Sequence, residues 1–250
     1  MALVHSFETS GNKLFRYRGQ IPVILFILAI PVVYFTDYEF IKDNDILYYT
    51  LLITCALISV SGQIIRSIAI GTSNKNTSGR NTKEGQVAEA LNTKGIYSTL
   101  RHPLYLGNYL MWIGIVGFTF NVYYVIIVSL LFWIYYERIM FAEERFLERK
   151  FGEDYINWSM KVPAFIPSCK NKVKSDIPFS FKTTLRREYS GITATILGFL
   201  FVDFLRDWFT SGQVQWKTTH LIVLIVALGI SLVFRTLKHN TTLLNEDDRS

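Results

Sequence analysis

Residues 17–36 read YRGQIPVILFILAIPVVYFT, and further apolar runs follow at about 47–70, 104–118, 122–136, 190–206 and 219–236. A bilayer's hydrocarbon core demands roughly 17 to 25 apolar residues in a helix, because every backbone polar group must be satisfied within the segment. A water-soluble core of this size cannot bury so many such runs. Half of the 250 residues are hydrophobic and mean hydropathy is positive, as a membrane protein requires. The expected fold is all-α, a polytopic integral-membrane helical bundle of about six transmembrane segments. The third and fourth, LYLGNYLMWIGIVGF and VYYVIIVSLLFWIYY, are short and separated by little more than Asn121, so they read as a helical hairpin.

An even number of crossings puts both termini in one compartment. Lys and Arg crowd into the N-terminal arm, the 71–103 loop, the 137–189 segment and the C-terminal tail, while the other three connections are nearly bare of them. By the positive-inside bias the crowded side is cytoplasmic, so the termini and any site on those loops are expected to face the cytoplasm. A net charge of +6 then orients the chain and attracts anionic headgroups. Nucleic-acid binding would need a basic, aromatic-bearing soluble surface, and no such module is visible. KNKVKSDIPFSFKTTLRR (170–187) reads as a surface-lying linker. The chain thus divides into an arm and first span (1–46), a central core (47–167), and a linker with two further spans and a tail (168–250). Cys55 lies in an apolar run and Cys169 in a basic loop, so neither a disulfide framework nor a metal site is expected.

Polarity breaks the pattern at two places in the core. After the fourth span, residues 137–151 keep helical periodicity and read as an amphipathic helix on the cytoplasmic side. At 100° per residue, Met140, Leu147 and Phe151 share a line to within about 20°, with Glu144 and Glu143 about 40° and 60° to either side. Both carboxylates interrupt the apolar face, either as ordinary ion-paired or solvated side chains or as a site for a cationic ligand group. Arg138, Arg145 and Arg149 fall on the opposite face, where contact with lipid phosphates or water is the ordinary expectation. Gly152 is placed to end the helix. Arg66, near the end of the second span, is expected to snorkel to the interface.

The second break is LRHPLYLGNYL (100–110). Pro103 suits the first turn of a helix, because its missing N–H would be unpaired there anyway. Arg101 and His102 then flank a helix N-terminus, whose free N–H groups and partial positive charge favour an anion such as a carboxylate or phosphate. Tyr105, Asn108, Tyr109 and Trp112 follow at i, i+3, i+4 and i+7 as one polar-aromatic face, and Gly107, Gly114 and Gly117 make a strip suited to close helix contact. An anion-binding helix start and a carboxylate pair, both at the same membrane surface, fit a zwitterionic ligand of amino-acid type.

Taken together, GIYSTLRHPLYLGNYL (95–110) and EERFLERKFGEDYINWSMKVPAFIP (143–167) resemble the isoprenylcysteine carboxyl methyltransferase and phospholipid methyltransferase group of integral-membrane enzymes. The blocks match in order and spacing: G-x-Y-x-x-x-R-H-P-x-Y-x-G, a transmembrane hairpin, E-E-x-x-L-x-x-x-F-G-x-x-Y, and a V-P-x-x-I-P exit. The resemblance covers roughly residues 47–167 and implies S-adenosylmethionine as methyl donor and a lipid or lipidated acceptor. It also implies roles. His102 and Tyr105 would hold the donor's carboxylate end with support from Arg101, these three forming the catalytic group. Glu143 and Glu144 would take its ammonium, with the direct contact left open between them. Gly95, Leu100 and Pro103 would shape the adenosine pocket, Gly107 would let the helix approach, and Asn108 belongs to the same donor-binding set. Ile96 stands where proline is common and Trp158 where tyrosine is common. Two other readings compete. A sterol-reductase-like NADPH enzyme shares an R-H-P-x-Y-like block, but Leu104, Asn108 and the E-E-x-x-L block depart from it. A non-catalytic scaffold or transporter would use Asp203 in the fifth span.

Overall fold

The computed structural model describes residues 2–74, 77, 86–214 and 216–246; the remainder of the 71–103 loop lies outside the described residues. Among those residues the chain is all-helical, with no strand. Its helices are α1 (Leu3–Tyr17), α2 (Ile21–Phe35), α3 (Glu39–Lys42), α4 (Asp45–Gly71), α5 (Pro103–Gly117), α6 (Val122–Phe151), α7 (Glu153–Ser159), α8 (Phe181–Ser211) and α9 (Thr218–Asn240). Helices α4, α6, α8 and α9 are long and apolar enough to cross a membrane, and Val23–Phe35 within α2 is a shorter apolar helix. α5 has 15 residues, about 22 Å of helix against a hydrocarbon core of about 30 Å.

The α4–α5 pair is the centre of the bundle, and its small-residue strip explains why. Cys55, Ser59 and Gly62 on α4 face Gly117, Gly114 and Gly107 on α5. A Cβ at Gly62 would stand 2.5 Å from the Gly107 carbonyl oxygen, and one at Gly114 would stand 2.5 Å from that of Cys55. With no side chains between them the backbones meet, and the Ser59 hydroxyl donates to the Met111 carbonyl at 2.9 Å. One turn beyond Gly62, the stem of Arg66 crosses α5 over the bare face of Gly107.

The expected hairpin is present, but its second arm is longer than the apolar run. Phe120 takes a positive φ of 57° at the turn, and the Asn121 side chain then caps α6 by accepting from the Tyr124 N–H at 3.0 Å. α6 runs unbroken for 30 residues to Phe151, about 45 Å, so about ten residues overhang the hydrocarbon. That overhang falls within 137–151, the segment read as an amphipathic helix, which is continuous with the fourth span. It ends at Gly152, whose φ of +53° is left-handed.

α1 packs along the overhang and changes the environment of its arginines. Gly11 sits against the Arg138 carbonyl and Ala142, and Phe7 meets Phe141 edge to face. Arg149 pairs with Glu8 at 2.6 Å, Arg138 lies over the Phe7 ring, and Arg145 pairs with Glu148 along its own helix. The three arginines therefore meet protein groups, rather than serving only lipid phosphate or water. Periodicity marked their face as polar without showing that α1 would cover it.

The supposed linker is also partly helix. α8 begins at Phe181, capped by the Ser180 side chain, and runs to Ser211, so residues 181–187 belong to it. At its far end Asp203 belongs to an ion-pair cluster, accepting from Tyr48 at 2.8 Å and lying 2.7 Å from His220 and 3.2 Å from Arg206. Lys217 meets Asp207 at 2.6 Å, and the Arg206 guanidinium lies 4.3 Å from both the Phe118 and Phe120 ring centres. Asp203, Asp207 and His220 stand close together, but these cations already neutralise the carboxylates.

Candidate cofactor site

A short extended pairing joins the two sequence blocks. The Arg101 N–H donates to the Pro163 carbonyl at 2.9 Å, the His102 N–H to Ala164 at 3.1 Å, and the Ser168 N–H to Thr99 at 2.9 Å. The V-P-x-x-I-P exit therefore runs alongside L-R-H, satisfying backbone groups just ahead of α5. Trp158, the departure from tyrosine, donates its indole N–H to the Tyr97 carbonyl at 3.2 Å. Gly95 takes a positive φ of 63° where its 3-10 turn approaches Ser175.

Above this pairing, the α5 start and the α6 overhang share one charged network. Arg101 holds Glu144 through Nε at 2.9 Å and Nη2 at 3.3 Å, while its Nη1 donates to the Ser159 and Val162 carbonyls. His102 Nε2 lies 2.8 Å from Glu144 Oε1, and Tyr105 donates to Glu143 Oε2 at 2.8 Å. His102 Nδ1 is 3.6 Å from the same Glu143 oxygen, a charge contact beyond hydrogen-bond range. The carboxylates are ion-paired within the protein, one of the two alternatives that their positions left open. The anion-favouring helix start and the glutamate pair also form one site.

A cavity of about 340 Å³ opens against this network. Of the residues assigned to the donor site from the sequence, Arg101, His102, Pro103, Tyr105, Asn108 and Glu143 line it. Glu144 stands behind them as the counter-ion of Arg101 and His102. Leu100 is core at 1% exposure, Gly95 forms the turn, and Gly107 packs against α4 rather than lining the cavity. Sequence reasoning missed several lining residues, including Arg66 and Tyr97 on the core side and Arg187, Glu188 and Lys238 from α8 and α9. Arg66 was legible in principle, one turn past Gly62 on the small-residue strip. No sequence signal marked Glu188, which stands directly after a basic run.

Burial alone would depress the His102 pKa, but the hydrogen bond to Glu144 and the negative charge of Glu143 and Glu144 outweigh it and hold the imidazole above its ordinary value. A group raised on folding contributes full stability below its unfolded pKa of about 6.5, and that contribution is lost as pH climbs through the higher folded value. Melting temperature in detergent is therefore expected to fall toward the alkaline side of a scan from about pH 6 to 9, and His102→Gln to flatten the fall. Parallel wild-type and variant profiles would assign the pH dependence elsewhere.

Residues 49–154 match the phospholipid methyltransferase family. The matched phospholipid methyltransferase segment runs from α4 into the start of α7 and contains the whole charged network; α1 to α3, α8 and α9 lie outside it. Among curated proteins, the chain is 30% identical over 106 residues to a protein-S-isoprenylcysteine O-methyltransferase of Schizosaccharomyces pombe, covering 42% of this chain and 45% of that protein. The Xenopus laevis protein of the same name is 31% identical over 127 residues, covering 50% and 44%. A nickel-cobalt-cadmium resistance protein, NccN, of Alcaligenes xylosoxydans xylosoxydans is 32% identical over 83 residues, covering 33% and 38%. The chain thus spans less than half the length of each of these relatives. No solved structure matches it.

Proposed function

We propose that this chain is an integral-membrane methyltransferase that takes S-adenosylmethionine as donor and methylates a lipid or lipidated acceptor at the cytoplasmic membrane face. The observation that carries this reading is the single network of Arg101, His102, Tyr105, Glu143 and Glu144, which lies within the segment that matches a methyltransferase family and borders a cavity. The cavity's volume falls in the usual range for small-molecule sites, about 300–1,000 Å³. Glu143, with 24% of its side chain exposed, presents a carboxylate suited to an ammonium. The buried His102 and the N-terminus of α5 supply positive character for a carboxylate. Arg101 and Glu144 hold His102 from behind, so its ring is fixed before a ligand arrives.

When bound, the donor supplies an electrophilic methyl group on a sulfonium. The protein's tasks are then to align an acceptor in line with that methyl and to exclude water. A carboxylate or phosphate acceptor needs no general base, and charge neutralisation in a low-dielectric site favours its reaction. The cytoplasmic orientation rests on the distribution of Lys and Arg.

Purified protein in detergent is expected to bind S-adenosylmethionine, with His102→Ala and Glu144→Ala each weakening it about tenfold or more, roughly 1.4 kcal/mol. Unchanged affinity in both variants would sink the site assignment, and NADPH binding without S-adenosylmethionine binding would overturn the donor. Mass analysis of membranes incubated with labelled donor would identify the methylated product.

A further inference from the structure

The two C-terminal helices lie outside the matched segment, yet α8 and α9 place Arg187, Glu188 and Lys238 on the cavity wall. Glu188 is the most deeply buried of these, at 1% exposure. Its carboxylate makes a two-point pair with Arg66, to Nε at 2.8 Å and Nη2 at 2.6 Å, and also accepts from Gln63 at 2.8 Å. Arg66 Nη1 donates to Asn108 Oδ1 at 2.5 Å, so the guanidinium is fixed on both edges between α4, α5 and α8. Its side chain is 21% exposed against 2% for Glu188, so the pair presents its cationic member to the cavity. A planar guanidinium carries five N–H donors, and the three directed at Glu188 and Asn108 leave others for a ligand. Arg187 and Lys238 line the same cavity.

We propose that the α8–α9 pair is the acceptor-recognition element of this chain, with Glu188 as a positioning residue that aims Arg66, alongside Arg187 and Lys238, at an anionic oxygen group on the acceptor. The proposal rests on the methyltransferase reading and assigns the acceptor's chemical class, a carboxylate or phosphate on a lipid-bearing molecule. A buried carboxylate here does not repel that anion, because its charge is spent on Arg66, and the pairing fixes the fork that bidentate recognition needs. It also gives the accessory helices a role beyond membrane anchoring.

The test uses the full chain in mixed micelles and measures binding of four probes: S-farnesylcysteine with a free carboxylate, its methyl ester, dioleoylphosphatidate and dioleoylglycerol. At least one anion is expected to bind about tenfold or more tightly than its neutral counterpart, and which one does so separates a carboxylate from a phosphate source. Glu188→Gln, and separately the double variant Arg187→Gln/Lys238→Gln, are expected to lower that affinity about tenfold, well beyond any change in S-adenosylmethionine affinity. Glu188→Asp should recover part of the loss, which a merely space-filling side chain would not require. The proposal is overturned if neither anion is preferred, if both sets of variants leave the preference intact, or if donor affinity falls in step with acceptor affinity. Intact anion preference in a protein that binds no S-adenosylmethionine would instead remove the donor reading alone.

Discussion

Arg66→Met is expected to lower the unfolding free energy by about 3–5 kcal/mol, because it leaves the Glu188 carboxylate buried with Gln63 as its one remaining side-chain donor among the described residues. Attraction between the charges alone does not account for the loss. Taking two ions out of water offsets much of their attraction, so the pair as a whole adds little relative to apolar side chains of similar size. Removing one member is different, since the survivor keeps its desolvation penalty and loses its compensation. The double variant Arg66→Met/Glu188→Met should therefore regain most of the lost stability, and a thermodynamic cycle of the two singles and the double should show a coupling of about 2 kcal/mol or more. Denaturant unfolding in detergent checks this. Additive singles would mean that the pair is loosely held, and Arg66 could not then be a fixed donor in the cavity.

The same pair shows where sequence reading stopped. Arg66 follows a run of apolar residues, and a cation at such a place is ordinarily expected to reach the interface. Its inward turn depends on two facts that lie far away in the chain: Gly107 leaves room for the stem, and Glu188 supplies the counter-charge. The long apolar runs were legible because the bilayer imposes a length on them, and the two motif blocks were legible because their residues are local. The link between the blocks was legible only in outline. Helical phase placed Glu143 and Glu144 off the polar face, but phase reports which side of a helix a residue occupies and not what covers that side. α1 showed the same limit, since its Glu8 and Phe7 determine where Arg149 and Arg138 go. Asp203 stood alone in the sequence, whereas Arg206, His220 and Tyr48 surround it in the fold.

Gly114→Leu carries the argument from packing to function. The new Cβ would meet the Ser59 hydroxyl first and then backbone of α4, which a change of rotamer cannot move, with the Cys55 carbonyl oxygen at 2.5 Å and the Ser59 nitrogen at 3.0 Å. Close-packed interiors give little at such a point, so the helices must separate, at a cost of about 3 kcal/mol, toward the upper end for overpacking. Separation also breaks the bond from Ser59 to the Met111 carbonyl and moves α5, which starts at the His102 network, away from Arg66 on α4. The expected result is loss of S-adenosylmethionine binding together with a lower melting temperature. Gly117→Ala meets only the Cys55 sulfur at 3.3 Å and should cost under about 1 kcal/mol with binding retained. Gly19→Ala, with nothing within 4 Å, is the control for a glycine outside the strip. If Gly114→Leu bound S-adenosylmethionine as tightly as wild type, the α4–α5 contact could not be what holds the cofactor residues in register. Alignment of the network would then have to come from the pairing of residues 99–102 with 163–168 and from the α6 overhang.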